Sequence, residues 1–239
     1  MASSAYALAL QVRALRMGRG EQPRGFKIGF TNRTIWPRYN VFAPIWGTVW
    51  DSTLTFCDGQ GGVDLTRCVQ PRIEPEVVFG FRQTPPPDAS LEDLFHSLDW
   101  MAPGFEVVQC HLLDWKFSVA DTVLDSGLHA RLLVGRRTPV RTLASSAAAL
   151  QAMLAENEVS LLRQGALVER GSGTNVLGDP LQALMHFVRE LRSCPDAPDV
   201  SPLDVVTTGT WTDAWPVSPA QTWQADFSSV LPSLTVTFK

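Results

Sequence analysis

Acidic residues inside two strand-like segments constrain the fold of this chain more than any other feature. Glu74 and Glu76 lead into the β-branched and aromatic run 77–81, and Glu106 lies within the similar run 105–108. Because side chains alternate along a strand, Glu74 and Glu76 point to the same face. Carboxylates in apolar strands are costly unless they are neutralised. Either a shared group neutralises these carboxylates, or they are solvent-facing charges on amphipathic strands.

Three convergent carboxylates indicate a hard divalent cation. The carboxylates repel one another, and oxygen ligands suit Mg²⁺, Mn²⁺ or Ca²⁺ better than zinc. The four cysteines show no zinc-binding spacing. We therefore predict a Mg²⁺ (or Mn²⁺) site with Glu74, Glu76 and Glu106 as the metal ligands.

Composition excludes several classes of protein. The chain has 239 residues, 45% of them hydrophobic and 18% charged, as in ordinary globular domains. A net charge of −4 without a basic stripe argues against a nucleic-acid partner. There is no apolar run long enough for a membrane span, and the N-terminal apolar segment lacks the features of a signal peptide. We expect a cytoplasmic protein with no membrane partner.

The order of elements predicts an α+β, mainly β fold rather than a doubly wound sheet. A helix at 6–17 is followed by many strands and few helices. Asp179 and Pro180 are a typical helix start, and we also predict helices at 91–98 and at 145–156. The predicted strands are 26–30, 48–56, 77–81, 105–112, 130–135, 159–162, 166–169, 205–212, 223–227 and 234–238.

Four segments in sequence order resemble the fumarylacetoacetate hydrolase superfamily. They are GFKIGFT (25–31), QPRIEPE (70–76), PGFEVV (103–108) followed by Asp-Trp-Lys at 114–116, and LGDPL (177–181) followed by Thr-Gly-Thr at 208–210. Within it, the chain resembles the branch of 2-keto-4-pentenoate hydratases and 4-oxalocrotonate decarboxylases. That branch has Glu at the third ligand position, where the hydrolases have Asp.

The resemblance implies a fold of twisted, mostly antiparallel sheets rolled around a central metal site, with a short N-terminal helix. It divides the chain into an N-terminal helical segment, 1–24, and a single catalytic domain, 25–239. It also implies a homo-oligomer that acts on a small 2-keto or 2-hydroxydienoic acid.

The same resemblance assigns roles to further residues. Lys27 is expected to contact the substrate or move a proton, with a pKa lowered by burial beside a cation. Substrate contacts are also expected at Lys116, Asp125 and Thr210. The alternative for Lys27 is a surface charge on a hairpin, but the glycines that flank it favour a site role.

Two departures from the family pattern affect the expected chemistry. The hydratases carry an acidic residue where this chain has Ile45, in the stretch Pro-Ile-Trp-Gly at 44–47. A pair of serines in the family is replaced by Leu128 and His129. His129 is a candidate replacement acid or base because imidazole titrates near neutrality. The alternative is a structural histidine.

These observations predict a metal-dependent enzyme that acts on a 2-keto acid through an enolate. The first expectation is a hydratase of the 2-keto-4-pentenoate type. A 4-oxalocrotonate-type decarboxylase is the nearest alternative because it needs no activated water, and an acylpyruvate C–C hydrolase is the third. A non-catalytic protein that binds a 2-oxo acid is the remaining alternative.

Overall fold

A computed structural model describes residues 2–33, 36–39 and 42–239. The helices are α1 (Ala2–Gly18), α2 (Trp36–Tyr39), α3 (Leu91–Ser97), α4 (Val119–Leu124), α5 (Val140–Leu143), α6 (Ala147–Glu156) and α7 (Pro180–Ser193). The strands are β1 (Pro23–Gly29), β2 (Ile45–Trp50), β3 (Leu54–Phe56), β4 (Gln60–Val63), β5 (Arg72–Phe81), β6 (Leu98–Val108), β7 (His129–Val134), β8 (Thr138–Pro139), β9 (Glu158–Arg163), β10 (Ala166–Ser172), β11 (Val205–Thr207), β12 (Trp215–Pro216), β13 (Thr222–Phe227) and β14 (Leu234–Phe238).

Two sheets form the β scaffold. The larger follows the order β2-β1-β11-β5-β6-β7-β3, with β12 added beside β5 and β8 beside β6. The smaller follows β10-β9-β13-β14-β4. Most neighbours are antiparallel, whereas β1–β11, β3–β7 and β4–β14 are parallel. The prediction of a mainly β, mostly antiparallel fold with an N-terminal helix is confirmed.

One large apolar core lies between the sheets and the helices. Phe79 and Phe105 of the larger sheet, Trp223 of the smaller sheet and Leu184 of α7 are all fully buried in it. Helix α7 begins where the sequence predicts, because the Asp179 side chain accepts a hydrogen bond from the Gln182 amide and proline follows it. None of the helices in the described part of the chain combines the length and apolar character that crossing a bilayer requires.

The predicted strand 48–56 is broken into β2 and β3. The Thr53 hydroxyl bonds to both the amide and the carbonyl of Trp50, and the Asp51 carboxylate accepts from the Ser52 amide. Such local bonds between side chain and backbone compete with sheet pairing and turn the chain.

Strand β6 begins at Leu98, seven residues before the predicted start at Phe105. Pro103 argues against a strand on sequence grounds because it lacks an amide hydrogen. Along one edge, β6 pairs with β8 up to Met101 and with β7 from Gly104. The proline is tolerated because it lies in the gap between the two ladders.

Candidate metal and substrate site

Antiparallel pairing of β5 with β6 brings the three glutamates together. Glu74 lies directly opposite Glu106 in the register, and Glu76 lies two residues further along the same face of β5. One carboxylate oxygen of each lies within 4.8 Å of the others. Glu76 and Glu106 are fully buried, and Glu74 is half-buried at the wall of a cavity.

The carboxylates differ in how well the protein neutralises them. Burial raises the pKa of Glu74 to about 7, with Lys27 opposing this shift and Glu106 adding to it. Burial and the two neighbouring glutamates hold the pKa of Glu76 well above its usual range. Burial also acts to raise the pKa of Glu106, but Lys27 and His129 outweigh it and the net shift is downward. Two of the three acids therefore lack sufficient positive charge from the protein.

Glu76 is held by the end of β11. Its Oε2 accepts hydrogen bonds from the Thr207 hydroxyl and from the Gly209 amide, the latter at 2.6 Å. Its Oε1 is buried and has no hydrogen-bond partner among the described residues. Buried polar atoms are nearly always satisfied, so an orphaned carboxylate oxygen beside two other carboxylates fits a cation ligand.

Lys27 is the cation that the chain itself contributes. It lies on β1 with its side chain buried, and its Nζ is 3.2 Å from Glu106 Oε2 and donates to the Gly127 carbonyl at 2.8 Å. Burial acts to lower the pKa of Lys27, but the three glutamates outweigh it and raise this pKa instead. The pKa is raised because the carboxylates surround the ammonium group; the lowered pKa expected from the sequence applies to Lys27 beside a bound cation.

Two close backbone approaches fix the carbonyl that Lys27 contacts. A Cβ on Gly47 would lie 1.9 Å from the Ser126 carbonyl oxygen, so β2 touches the turn at Ser126–Leu128. Gly127 has φ of +68°, and a Cβ there would lie 2.8 Å from Lys27 Cδ. Only glycine fits both positions without displacement.

His129 lies behind Glu106 rather than in the cavity wall. Its Nδ1 is 2.8 Å from Glu106 Oε1 and its Nε2 is 2.9 Å from the Thr53 hydroxyl. Because a carboxylate only accepts hydrogen bonds, Nδ1 carries the proton in this contact. The geometry favours a residue that orients a carboxylate over the acid or base expected from the sequence.

A cavity of about 250 Å³ opens onto Lys27 and Glu74. Thr210 lies in its wall and exchanges hydrogen bonds with the backbone of Thr212. Ile45 and Leu128, which replace polar residues of the family pattern, form an apolar part of the wall.

The other two expected substrate contacts are not part of the cavity wall. Lys116 has a side chain that is 82% exposed, and its nearest carboxylate is Asp114 at 3.8 Å. The Asp125 carboxylate pairs with His111 Nδ1 at 2.8 Å. Neither Lys116 nor Asp125 lines the cavity.

The sequence alone did not identify Arg72 and Trp115, which line the cavity. Alternation along β5 was the available signal for the first, because Arg72 shares a face with Glu74 and Glu76. Nothing local signals Trp115, which reaches the cavity through a turn at Leu113–Trp115.

Curated relatives of this chain are hydratases and decarboxylases. It is 31% identical over 190 residues to 2-hydroxyhexa-2,4-dienoate hydratase of Comamonas testosteroni, covering 78% of this chain and 68% of that protein. It is 26% identical over 176 residues to 4-oxalocrotonate decarboxylase of a Pseudomonas species, covering 74% of this chain and 64% of that protein. The alignments thus span about two thirds of these relatives. No family model matches the chain.

Solved structures share the whole fold. The 4-oxalocrotonate decarboxylase from Pseudomonas putida G7, complexed with magnesium and adipate, superposes with a TM-score of 0.87 at 24% identity, covering 100% of this chain and 86% of that chain. Fumarylpyruvate hydrolase from Pseudomonas aeruginosa, in complex with Mn²⁺ and pyruvate, gives a TM-score of 0.67 at 13% identity, covering 90% and 88%. Together with the sequence relationship, the shared fold shows that this chain belongs to the fumarylacetoacetate hydrolase superfamily, in its branch of 2-keto-4-pentenoate hydratases and 4-oxalocrotonate decarboxylases.

Proposed function

We propose that this chain is a divalent-metal-dependent lyase that acts on a small 2-oxo acid through an enolate. The observation that carries this proposal is the convergence of Glu74, Glu76 and Glu106 beside Lys27, with Lys27 and Glu74 lining one cavity. Structures of the same fold hold magnesium with adipate and Mn²⁺ with pyruvate, which supports a metal and a small carboxylic acid as the ligands.

The donor set fits a hard cation in charge and in chemistry. Three carboxylates meet within 4.8 Å, and one buried oxygen of Glu76 lacks a hydrogen-bond partner among the residues described. A divalent cation held by these residues would supply a Lewis acid that stabilises an enolate of a 2-oxo acid. Mg²⁺ and Mn²⁺ both accept all-oxygen ligands of this kind.

Lys27 supplies a positive charge at the buried part of the cavity wall. Its ammonium group contacts Glu106 and the Gly127 carbonyl, and these two contacts fix its position. A fixed ammonium group at this wall orients the anionic end of a 2-oxo acid and can donate a proton to the enolate.

The apolar wall favours decarboxylation over hydration. Hydration needs a group that activates water, whereas Ile45 and Leu128 have no such group and His129 faces Glu106. Decarboxylation of a vinylogous 2-oxo acid breaks the bond to a remote carboxylate. CO₂ leaves, and the bonding electron pair stays on the rest of the substrate, which becomes a dienolate. The dienolate then takes up a proton. None of these steps requires activated water.

Hydration is the second candidate because the relative with 31% identity is a dienoate hydratase. For that reaction, the charged groups in the cavity wall are Lys27, Arg72, Glu74 and Asp213. Among the described residues of this wall, the exposed Asp213 is the carboxylate outside the predicted metal ligands, and it would be the group that activates water for hydration.

Proton NMR of two substrates separates the candidates. The purified protein is incubated with 4-oxalocrotonate or with 2-hydroxypenta-2,4-dienoate, in Mg²⁺ or after EDTA treatment. We expect Mg²⁺-dependent loss of CO₂ from the first substrate. Conversion of the second to 4-hydroxy-2-oxopentanoate instead would assign hydration. Binding of pyruvate without turnover of either substrate would favour the non-catalytic alternative.

A further inference from the structure

Arg72 adds a positive charge to the cavity wall, where it also acts to lower the pKa of Glu74. Arg72 precedes Glu74 by two residues on the same face of β5, which places their Cα atoms about 7 Å apart. Its guanidinium lies 4.2 Å from the centre of the Trp115 ring. Among the residues that the structure describes, no carboxylate lies within ion-pairing distance of this guanidinium, about 4 Å.

The backbone holds Arg72 from both sides. Arg72 pairs with Val108 of β6 and with Pro216 of β12, so its Cα is fixed within the sheet. The side chain is half-buried and stacked on an aromatic face, an arrangement in which arginine keeps its planar fork free for a carboxylate.

The ring beneath Arg72 is held by an uncommon backbone. Asp114 and Trp115 have φ of 56° and 57°, and consecutive non-glycine residues in the left-handed region are rare. Such conformations persist where the surroundings enforce them, often at ligand sites. Trp115 packs edge-on against Phe117, and Phe117 against Phe30, so an aromatic wall runs inward from Arg72.

The cavity therefore has two charged ends joined by an aromatic wall. Lys27 and Glu74 line the inner end, where Glu76 and Glu106 adjoin Glu74, and the half-buried Arg72 lines the outer end. The exposed Asp213 also lies at the cavity wall. A volume of about 250 Å³ suits a small molecule, since drug-sized pockets begin at about 300 Å³. A flat conjugated chain fits between aromatic side chains.

We propose that Arg72, stacked on Trp115, binds a second carboxylate at the far end of the substrate and so selects 2-oxo dicarboxylic acids. This inference rests on the proposed function, which places the 2-oxo acid at the inner end. It also accords with decarboxylation. A 2-oxo acid that keeps the carboxylate next to its keto group can lose CO₂ only from a second carboxylate.

Paired ligands that differ in one carboxylate test the inference. Binding of 2-oxoadipate, 2-oxohexanoate and pyruvate to the Mg²⁺-loaded protein is measured by isothermal titration calorimetry. We expect 2-oxoadipate to bind about 10- to 100-fold more tightly than 2-oxohexanoate, the range of a charge-assisted hydrogen-bonded contact. Arg72→Gln should remove most of this preference, and its effect on pyruvate, which has a single carboxylate, should be much smaller than its effect on 2-oxoadipate. Arg72→Lys should keep part of it, because lysine retains the charge and loses the fork.

Arg82→Gln is the matched control, because Arg82 is exposed just beyond the other end of β5. It should leave all three affinities unchanged. Equal binding of the two six-carbon acids to the unmodified protein, or an undiminished preference in Arg72→Gln, would overturn the role of Arg72 and leave the proposed function intact. Absence of Mg²⁺-dependent pyruvate binding would overturn the proposed function and this inference with it.

Discussion

At the scale of single residues, the three glutamates have unequal support from the protein. Glu106 contacts both Lys27 and His129, whereas Glu76 receives neutral donors on one oxygen only. This inequality explains why the pKa of Glu106 is lowered while those of Glu74 and Glu76 are raised. The metal-free site therefore keeps protons that must leave when a cation binds.

The raised pKa values predict that the metal-free protein loses stability as pH rises. Glu74 has an ordinary pKa of 4.5 and a folded-state pKa of about 7, so between these values the folded state binds more protons than the unfolded state. Folding then becomes less favourable with increasing pH across this window. Thermal unfolding of EDTA-treated protein at pH 5, 6 and 7 measures the trend. Glu74→Gln should make the slope less steep, with Glu76 keeping the remaining part, and an unchanged slope in this variant would contradict the assignment.

His129 is predicted to support the metal site without touching the substrate. Removing the imidazole in His129→Ala leaves Glu106 Oε1 without its 2.8 Å partner. Loss of such an outer contact weakens metal binding by about 10- to 100-fold. Calorimetric titration with Mg²⁺ measures the effect, and Thr53→Val should give a smaller loss because it removes only the hydroxyl behind the ring.

His96→Ala is the control for this prediction, because His96 is exposed and its carboxylate partner is Glu92 of its own helix, α3. An unchanged Mg²⁺ affinity in His129→Ala, combined with a loss of turnover, would instead support the acid or base role expected from the sequence.

The arrangement of the glutamates was predictable where a rule of local geometry applied. Alternation along a strand was enough to place Glu74 and Glu76 on one face, and the register confirms that Glu106 meets them. The role of His129 depends on Thr53, which lies 76 residues away in the chain. No local pattern connects these two positions, so the sequence left the role of His129 open.

At the scale of elements, β5 and β6 form the platform that carries the three glutamates, and the turns around them position Lys27. The contact of β2 with the turn at Ser126–Leu128 sets the position of the Gly127 carbonyl. That carbonyl accepts a hydrogen bond from the Lys27 ammonium group and so positions it. The sequence predicted both strands of the platform. It did not predict the approach of β2, because Gly47 and Ser126 come from distant parts of the chain.

Gly47→Ala should displace this turn and reduce both stability and turnover. The new Cβ would lie 1.9 Å from the Ser126 carbonyl oxygen, so the backbone must move. Forcing atoms into packed space costs about 1–3 kcal/mol of unfolding free energy. Chemical denaturation and steady-state kinetics measure the two effects.

Gly18→Ala is the matched control, since a Cβ at Gly18 meets nothing within 4 Å and its φ is not positive. It should leave turnover unchanged and stability equal or slightly higher. Full activity in Gly47→Ala would show that the Ser126–Leu128 turn does not position Lys27.

At the scale of the whole molecule, the site joins segments from most of the sequence. Lys27 comes from β1, the glutamates from β5 and β6, and the donors to Glu76 from the end of β11. The mainly β class was predictable from strand-like runs, and the family pattern supplied the sheet arrangement. The break after β2 and the early start of β6 were not predictable, because they depend on hydrogen bonds and neighbours set by the tertiary fold.

Because so many segments meet at the site, Mg²⁺ should stabilise the whole fold. At 100 times its dissociation constant, a ligand of the folded state adds about 2.7 kcal/mol. For a chain of this size, the melting temperature should then rise by about 5–10 °C. Differential scanning calorimetry with and without Mg²⁺ measures the shift, and Glu76→Gln should remove most of it. An equal shift in Glu76→Gln would mean that the ion binds elsewhere.

The most direct measurement of the central claim is proton exchange at C3 of a simple 2-oxo acid in D₂O, followed by NMR. With Mg²⁺ present, enolate formation should replace the C3 protons of 2-oxobutyrate with deuterium at a rate proportional to protein concentration. EDTA treatment or Glu76→Gln should reduce that rate to the uncatalysed value. Exchange that persists without the metal, or its absence in Mg²⁺-loaded protein that binds the acid, would contradict metal-dependent enolate chemistry at Glu74, Glu76 and Glu106.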